Sequence, residues 1–537
     1  MAIDIPLPMP PIPAEARSIE VAQKQSGGMQ SASFADYQVE VNGPKYLSSA
    51  EINAAISEAT NPTQAVLALN NAYYRAGHLL VRIHYALVGK KLSLFVVQGT
   101  LKDVVSPPAL EKFFEPLIGD TNLTQREFDR RRLMADIKAN RAGENVAISY
   151  QAMPSQPEQI TVVFSAEEDA EADQTDLSFQ LGNPGSRFLG RYFQQSSIRH
   201  ATDYGTEFVL GWESALTSLG DDPRGGESYN NVQLALDHPT VFGLYGFDIS
   251  YTTYEQDEDP VTSTPVDIDS EISVVGLNGR QVLLSSASNR LNLYQRIEHV
   301  ETEIMDEDAN VIAIDEPHTT VELGVTWYHR FNSGVTMTMD FAAEKGLSSD
   351  AGTLNINPTS GVVSAYNRTS DFLALKPKIG MAIPVMGSGN LSFDVIAQSS
   401  DEQLPQEQQW VLGGMGSLSA YLPGLLVGDT GYYARAAWSI GKYKMGGFNW
   451  SPSIFAEHGA AEYEGVDSDL AANILADGSN LGERQSVGDA GVRLEAVYNN
   501  SLEFELVAAS GFSDKNISEE RLEESEADFY FRIKKTF

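Results

Sequence analysis

Residues that could carry out catalysis are few in this sequence, and they form no recognisable constellation. The eight histidines lack the spacing of a metal site; they stand at positions 78, 84, 200, 238, 299, 318, 329 and 458. The sequence contains neither a Gly-x-Ser-x-Gly turn, which would present a nucleophilic serine, nor a glycine-rich phosphate loop. We therefore predict that the chain is not an enzyme, has no catalytic residues and uses no cofactor.

Three runs of acidic residues could bind calcium, because calcium prefers oxygen ligands. The runs are Asp257-Glu258-Asp259, Asp306-Glu307-Asp308 and Glu523-Glu524-Glu526. None of them has the spacing of a calcium-binding loop, so the pattern favours a solvated, mutually repulsive external surface. Calcium binding by these segments stays open, and we predict no metal site.

Four arginines stand out in an otherwise acidic chain, at positions 126, 130, 131 and 132. They lie on a predicted helix and could hold an acidic client or lipid head groups. A plain solvated helix face is the simpler interpretation. We retain Arg126 and Arg130 as possible client-binding residues.

Composition excludes several classes of protein. Among 537 residues, Lys+Arg number 37 and Asp+Glu 73, a net charge of −36 that disfavours nucleic acid and anionic lipid as broad-surface partners. The absence of cysteine excludes a disulfide framework and thiol chemistry. No run of eighteen apolar residues occurs, which excludes a membrane-spanning helix of the usual kind.

Two small modules are predicted at residues 34–100 and 101–168, each with the order strand, helix, helix, strand, strand. In the first, Ser48 and Glu51 form a capping box ahead of one helix, and Asn61 caps the next. Alternating apolar residues then predict two strands joined by a short turn. The same order recurs in the second module.

Residues 1–33 contain closely spaced prolines and predict an extended arm with a short helix between Ala14 and Gln25. The simplest role for this arm is a structural tether. A plug or a partner-binding arm is the alternative.

From residue 169 to the end of the chain at residue 537, the hydrophobic period is two. Val321, Leu323, Val325 and Trp327 alternate with polar residues, and a similar strand follows after a tight turn. Tight turns are interleaved with long acidic connections. This arrangement is typical of an outer-membrane β-barrel, and roughly sixteen antiparallel strands of about ten residues fit the segment.

The sixth external connection of this barrel, residues 410–431, is unusually apolar, and we refer to it as the lid loop. Its apolar residues are Leu412, Met415, Leu418, Tyr421, Leu422, Leu425 and Leu426. The glycines at 413, 414, 416 and 424 allow a tightly folded main chain. Because an apolar loop needs cover, we predict that the lid loop folds into the barrel lumen.

Several motifs resemble those of a known family. The segments YYRAGHLLVRI and LSLFVVQGTLKDV of the first module resemble a POTRA domain, and DLSFQLGNPGSRFLGRY resembles the opening hairpin of the family's barrel. The lid loop contains GGMGSLSAY, followed by GDTGYYAR, and SPSIFAEHG resembles a partner motif on strand thirteen, here Phe455, Glu457 and Gly459. On these residues, from Phe34 to Phe537, the chain resembles TpsB transporters of two-partner secretion (haemolysin secretion/activation proteins), within the BamA-like superfamily of Gram-negative bacteria.

The resemblance implies an all-β transmembrane barrel of about sixteen strands, preceded by two α+β POTRA domains. It implies a location in the outer membrane, with the POTRA domains in the periplasm. The implied partners are a secreted client, most simply a large β-helical exoprotein, together with outer-membrane lipid, periplasmic chaperones and the barrel assembly machinery during biogenesis. Val81, Ile83 and Tyr85, on a predicted strand of the first POTRA domain, are further possible client-binding residues.

The lid-loop tip departs from the family pattern, which is Val-Arg-Gly-Tyr/Phe. The four positions here are Leu418, Ser419, Ala420 and Tyr421, and the strand-thirteen acid is Glu457 instead of Asp. Serine cannot replace the guanidinium that is expected to bind this acid. Two alternatives follow: weaker contacts hold the lid loop, or Arg435 or another cation meets Glu457. Glu457 could also be an ordinary lumen carboxylate.

Three functions are compatible with these patterns. A translocator would capture an unfolded client by strand addition to a POTRA sheet and pass it through the lumen as the lid loop moves. A BamA-like assembly factor would insert other barrels, but two POTRA domains argue against it. A passive pore or anchor for a surface protein is the third, and the missing loop arginine keeps this alternative open. We predict the translocator.

Overall fold

The computed structural model describes most of the chain. The described residues are 8–121, 123–153, 155–167, 174–186, 189–217, 219, 228–258, 265–286, 288–307, 311–347, 355–356, 368–385, 389–466 and 480–537. Within these ranges, no helix is long and apolar enough to cross a membrane.

The first POTRA domain, predicted at residues 34–100, forms a five-stranded sheet to which the predicted arm of residues 1–33 adds two strands and a helix. Two helices pack on one face of this sheet, and the helix of the arm packs on the other. Its elements are β1 (Ile12–Pro13), α1 (Ala16–Lys24), β2 (Gln30–Phe34), β3 (Tyr37–Asn42), α2 (Ser49–Ile56), α3 (Pro62–Arg75), β4 (Val81–Val88) and β5 (Lys91–Gln98). The strand order is β1-β4-β5-β3-β2. Ile56 and Leu69 of the helices and Ile83 and Leu94 of the sheet are buried together. Apolar residues at helical spacing in α2 and α3 therefore meet the alternating residues of β4 and β5.

Local signals explain where the helices of this domain begin. Ser48 and Glu51 form the reciprocal capping box, and the side chain of Asn61 accepts a hydrogen bond from the amide of Gln64. Pro62 occupies the first turn of α3, where its missing N–H leaves no bond unmade.

The second POTRA domain has a three-stranded sheet with the order β6-β8-β7. Its elements are β6 (Thr100–Val105), α4 (Pro108–Phe114), a 3₁₀ turn (Glu115–Leu117), α5 (Gln125–Arg141), β7 (Asn145–Met153) and β8 (Gln156–Glu167). Phe114, Phe128 and Phe164 form its aromatic core.

Sixteen long antiparallel strands form a closed barrel in the described part of the chain. They are β9 (Thr175–Gly182), β10 (Phe193–Ala201), β11 (Glu207–Ala215), β12 (Tyr229–Pro239), β13 (Leu244–Glu258), β14 (Pro265–Ser285), β15 (Asn289–Asp306), β17 (His318–Arg330), β18 (Thr336–Leu347), β20 (Leu373–Pro384), β21 (Asn390–Ser400), β24 (Thr430–Ser439), β26 (Phe448–Glu462), β27 (Gln485–Tyr498), β28 (Leu502–Lys515) and β29 (Tyr530–Thr536). Short strands in the connections are β16 (Val311–Asp315), β19 (Asn355–Ile356), β22 (Trp410–Leu412), β23 (Leu426–Gly428) and β25 (Tyr443–Met445), and one short helix is α6 (Glu519–Glu524).

Pairing of β29 with β9 closes the barrel, from Arg532↔Gly182 to Thr536↔Ser178. Large apolar side chains such as Trp212, Leu277 and Val492 are exposed on the outer face, where a bilayer would cover them. The predicted fold class, a transmembrane barrel of about sixteen antiparallel strands preceded by two α+β POTRA domains, is confirmed.

Some strands are longer than the sequence pattern predicts. The sequence pattern predicts a long acidic connection at residues 255–270, but its described residues, 255–258 and 265–270, are strand: Glu255 pairs with Asp269 and Gln256 pairs with Ile268. Residues 255–258 of β13 are all polar, yet their main-chain pairing with β14 continues. The apolar alternation that marks a half-buried strand is lost there, and the sequence then looks like a loop.

The second POTRA domain packs against one end of the barrel through α5. Arg131 Nη1 donates to the carbonyl oxygen of Val241 at 3.3 Å, and Arg141 Nη2 lies 3.0 Å from Glu207 Oε1. Short turns such as 202–206 and 240–243 lie at this end. The lid loop begins from the opposite end, between β21 and β24.

Candidate functional site: the lid loop in the lumen

The lid loop packs inside the barrel. Its β22 and β23 form a small hairpin in which Trp410 pairs with Gly428. Leu418 and Leu426 are both 0% exposed, and they share an apolar cluster with Tyr433 of β24 and Val487 of β27. Further along the same wall, Ala456 and Ala490 point the other way from their buried neighbours Glu457 and Asp489 and are exposed, so the lid loop lies against the inner wall.

The lid-loop tip is bound to two carboxylates on adjacent strands. The main-chain amide and the hydroxyl of Ser419 each donate to Glu457 Oε2 at 2.9 Å. The amide of Ala420 donates to Asp489 Oδ2 at 2.7 Å. Glu457 and Asp489 are direct neighbours across the β26–β27 ladder. Leu418 has φ of 53°, and this turn directs the two successive amides towards the two carboxylates.

Glu457 has a second set of partners on the barrel wall. Tyr433 Oη donates to Glu457 Oε1 at 2.7 Å, and Arg435 Nε lies 3.5 Å from the same oxygen. The Arg435 guanidinium also stacks 4.9 Å from the ring centre of Phe455. Both alternatives for a chain without the loop arginine therefore occur together: neutral donors hold the tip, and Arg435 meets the acid.

Two glycines allow the lid loop to lie this close to itself and to the wall. Gly413 has φ of +120°, and a Cβ there would overlap the carbonyl oxygen of Leu422. A Cβ at Gly459 would lie 2.6 Å from Leu412 Cδ1. Gly414 donates its amide to Tyr421 O at 2.8 Å, and Gly416 faces open space.

A second loop covers the lid-loop tip. We define the clasp as residues 516–529, the connection between β28 and β29 that contains α6. The amide of Leu422 donates to Ser525 O at 2.7 Å, and the amide of Ala527 donates to Ala420 O at 2.8 Å. Arg521 Nη2 donates to Leu425 O at 3.0 Å. The clasp and the lid-loop tip thus form one hydrogen-bonded unit.

Sequence reasoning missed Asp489, Arg521 and Tyr530 in this site. Tyr530 Oη donates to the carbonyl oxygen of Tyr421 at 2.6 Å. Ser518, which caps α6, was an available signal that the acidic segment 516–529 contains a helix. No comparable signal marks Asp489, because its role depends on strand register.

A polar cavity of about 280 Å³ adjoins the tip inside the barrel, lined by Gln180, Glu213, Met415, Gly416, Arg493 and Glu505 among others. Arg493 Nη2 donates to the carbonyl oxygen of Met415 at 3.0 Å and pairs with Glu505 Oε1 at 3.4 Å. Arg532 Nη2 lies 2.5 Å from the other oxygen of Glu505. The lumen beside the lid loop is therefore lined by paired charges, which suit a polar path.

The candidate client-binding residues of the first POTRA domain do not all face solvent. Val81 and Ile83 are 4% and 0% exposed because alternate residues of β4 face the helices. Their side chains are not available to a partner, and only the main chain of β4 remains. Tyr85 is partly buried, and β1 pairs beside it.

The arginines of α5 divide between exposed and engaged positions. Arg126 is exposed, and Arg130 lies 3.8 Å from Glu127. Arg131 contacts the barrel, and Arg132 lies 3.4 Å from Asp129, so neither of these forms a free basic surface.

The acidic runs lie partly outside the described residues. Residues 259 and 308 of the first two runs lie outside the described residues. In the part of the chain that is described, no group of three or more potential metal ligands occurs.

Two buried groups in the POTRA domains have shifted pKa values. Burial lowers the pKa of His84 in β4 to about 4, aided by the nearby Arg82 charge. Burial raises the pKa of Asp129 in α5 to about 6, although Arg132 opposes this shift.

Comparison with known proteins identifies the family of the chain. The family model of haemolysin secretion/activation proteins ShlB/FhaC/HecB matches residues 169–478, more than half of the chain. The comparison with curated proteins gives no match. The matched family is a family of secretion proteins and not a family of enzymes.

Similar solved structures include CdiB from Escherichia coli, with 16% identity, TM-score 0.68, and coverage of 97% of this chain and 95% of that chain. CdiB from Acinetobacter baumannii has 13% identity, TM-score 0.62, and coverage of 95% and 91%. BamA from Haemophilus ducreyi lacking POTRA domains 1–3 has 12% identity, TM-score 0.53, and coverage of 94% and 100%. At these identities the likeness shows the fold alone. The family match confirms the resemblance found in the sequence, and the chain belongs to the ShlB/FhaC/HecB family of haemolysin secretion/activation proteins, which are outer-membrane translocators.

Proposed function

We propose that this chain captures an unfolded client in the periplasm through its POTRA domains and secretes it through the barrel in two-partner secretion. The observation that carries the proposal is the attachment of the lid-loop tip to Glu457 and Asp489. The lid loop, a segment of the chain itself, closes the lumen, and only non-covalent contacts hold it there. Such a gate can open without breaking the barrel.

The chemistry of the attachment favours reversible opening. Each hydrogen bond to a carboxylate contributes about 1.5–3 kcal/mol in a typical protein. When the lid loop leaves, Tyr433 and Arg435 still contact Glu457. In a relative with the loop arginine, separating the buried pair would leave uncompensated charges at a cost of about 3–5 kcal/mol. The serine tip therefore lowers the free energy of opening.

The placement of the POTRA domains supports capture on the periplasmic side. They lie at the end of the barrel with the short turns, which face the periplasm in outer-membrane barrels. The lid loop and the clasp begin at the other end. The client would enter beside α5, traverse the polar lumen and fold outside, and its folding would supply the driving force.

A lid-loop crosslink tests the proposal. Because the chain has no cysteine, Ser419→Cys with Glu457→Cys provides the only two thiols. A short bifunctional methanethiosulfonate would join the lid-loop tip to β26, and a reductant would release it. We expect proteins that the native cells release through this chain to disappear from the medium after crosslinking and to return after reduction. Undiminished release from fully crosslinked cells would overturn the gate. Release that never depends on the chain would favour a passive pore or anchor.

A further inference from the structure

A row of polar side chains crosses the inner wall of the barrel beside the lid loop. Gln180 of β9 pairs with Gln195 of β10, and Gln195 pairs with Glu213 of β11. The strand neighbours Phe179 and Trp212 are exposed on the outer face, so the three polar residues of the row point into the lumen. All three line the cavity of about 280 Å³ that adjoins the lid-loop tip.

Glu213 is the one charged member of this three-residue row, and its carboxylate is not paired. Among the described residues, the Glu213 side chain forms neither a hydrogen bond nor an ion pair. The residue opposite Glu213 on β12 is Asn231, whose amide group donates to Thr252 Oγ1 at 2.6 Å instead. A carboxylate therefore faces the cavity with its acceptor oxygens unused by the described wall.

The cations near this cavity are already engaged or too distant. Arg493 and Arg532 both line the cavity, and both pair with Glu505, at 3.4 Å and 2.5 Å. Lys534 continues the row on β29. It lies three strands from Glu213, about 14 Å at the usual spacing between strands, which is too far for an ion pair. A cationic partner for Glu213 therefore has to come from outside the described chain.

The two glutamines of the row favour a peptide as the source of that cation. A carboxamide has two N–H donors and an acceptor oxygen, so Gln180 and Gln195 can bond both the C=O and the N–H groups of an extended main chain. A lysine or arginine side chain of the same segment would form a charge-assisted hydrogen bond with Glu213. Met415 and Gly416 of the lid loop also line the cavity, so movement of the lid loop would widen its opening to the lumen.

We propose that Glu213 is a docking site for lysine and arginine side chains of an extended client segment, which passes along the β9–β11 wall when the lid loop moves. This inference rests on the proposed function and specifies the chemistry of the client and the side of the lumen that it follows. The competing explanation is a carboxylate that is merely hydrated in a polar lumen.

Block of the open pore by defined peptides tests the inference. The probe is a short threonine peptide with one central lysine and with acetylated and amidated ends, because threonine favours an extended chain. The matched peptide has norleucine, which lacks the charge, in place of lysine. Both are added to the full chain carrying Asp489→Ala in planar bilayers, and block is scored only while the pore conducts. A chain that lacks residues 411–427 serves as a second open background.

We expect the lysine peptide to block with a dissociation constant about tenfold lower than that of the norleucine peptide, the effect of one charge-assisted hydrogen bond. Glu213→Gln should remove this difference. Glu213→Lys should reverse the charge preference, so that a glutamate peptide blocks better than the lysine peptide.

Glu322→Gln is the matched control. It also removes one negative charge from the lumen wall, and Lys376, which lies 3.9 Å from Glu322, keeps its ion pair with Glu344. The preference for the lysine peptide should persist in this variant. Its persistence would show that the position of the Glu213 carboxylate matters and not the total charge of the lumen.

Equal block by the lysine and norleucine peptides would overturn the inference. The same loss of preference in Glu213→Gln and Glu322→Gln would also overturn it, because the lumen would then attract cations without a defined site. The measurement uses neither the client nor export. Failure of export together with the expected peptide block would therefore count against the proposed function alone.

Discussion

Glu457 and Asp489 face each other across two neighbouring strands, and each accepts a main-chain hydrogen bond from one of two adjacent residues of the lid-loop tip. Two successive main-chain amides of the lid-loop tip thereby bind two carboxylates that are neighbours across the strand pair. Neutral donors thus hold the lid-loop tip at the position where the family pattern has an arginine. The strength of each contact is therefore open to measurement by changing one donor or acceptor at a time.

Ser419→Ala should weaken the attachment without removing it. The hydroxyl bond to Glu457 is lost, whereas the amide bond remains. A loss of about 1.5 kcal/mol, the lower end of the range for a hydrogen bond to a carboxylate, corresponds to roughly a twelvefold rise in the ratio of open to closed states. Planar-bilayer recordings would measure this ratio. Ser178→Ala, which removes a hydroxyl contact between β9 and β10, is the matched control and should not change it.

Substitutions of Asp489 should separate hydrogen bonding from charge. Asp489→Asn keeps an acceptor oxygen for the amide of Ala420, whereas Asp489→Ala leaves that buried amide unpaired at a cost of about 1–3 kcal/mol. We therefore expect frequent channel opening in Asp489→Ala and nearly normal closure in Asp489→Asn. If both variants open equally often, the negative charge matters more than the acceptor.

The sequence predicted elements whose signals are local. The capping box of Ser48 and Glu51 and the cap at Asn61 mark helices within a few residues, and period-two patterns mark the strands where one face meets lipid. The apolar composition of the lid loop also predicted that the loop is buried. Asp489 gave no such signal: it lies 69 residues from Ala420, and only the register of β27 against β26 brings it to the tip. The pairing of the arm with β4 depends on tertiary placement in the same way.

The clasp should contribute to closure independently of the barrel wall. Arg521→Ala removes the hydrogen bond to Leu425 O and should loosen the contact between the clasp and the lid loop. We expect more frequent opening in bilayers with an unchanged thermal unfolding temperature of the barrel. The control is Arg484→Ala, because Arg484 forms an exposed ion pair with Glu462 away from the lid-loop tip. A drop in barrel unfolding temperature for Arg521→Ala would indicate a general structural role.

Removal of the lid loop should open the lumen. Deleting residues 411–427 and joining Trp410 to Gly428 through two glycines is sterically reasonable, since these two residues are paired in the structure. The hydrogen-bonded tip and its apolar cluster would then be absent, and single-channel conductance should rise markedly. An unchanged conductance would show that another segment blocks the lumen, and the lid loop would then not be the gate.

Mild acid should change the stability of the two POTRA domains in opposite directions. Burial lowers the pKa of His84 to about 4, below the usual value of about 6.5 in an unfolded chain. Folding then favours the neutral imidazole, so its stability contribution is complete above pH 6.5 and falls as the pH drops towards 4. At pH 5 the loss is about 2 kcal/mol by proton linkage. Burial raises the pKa of Asp129 to about 6, so the second domain gains stability, by about 1 kcal/mol, between pH 7 and pH 5.

Hydrogen exchange of the full chain at these two pH values, corrected for intrinsic exchange rates, would measure both effects. Faster exchange at pH 5 is expected in β4 and β5, and slower exchange in α5. The variant His84→Asn should abolish the change in the first domain and leave the second unaffected, because the two groups lie in separate domains. If β4 and α5 respond in the same direction, other carboxylates dominate the linkage, and the burial of these two side chains does not determine the acid response.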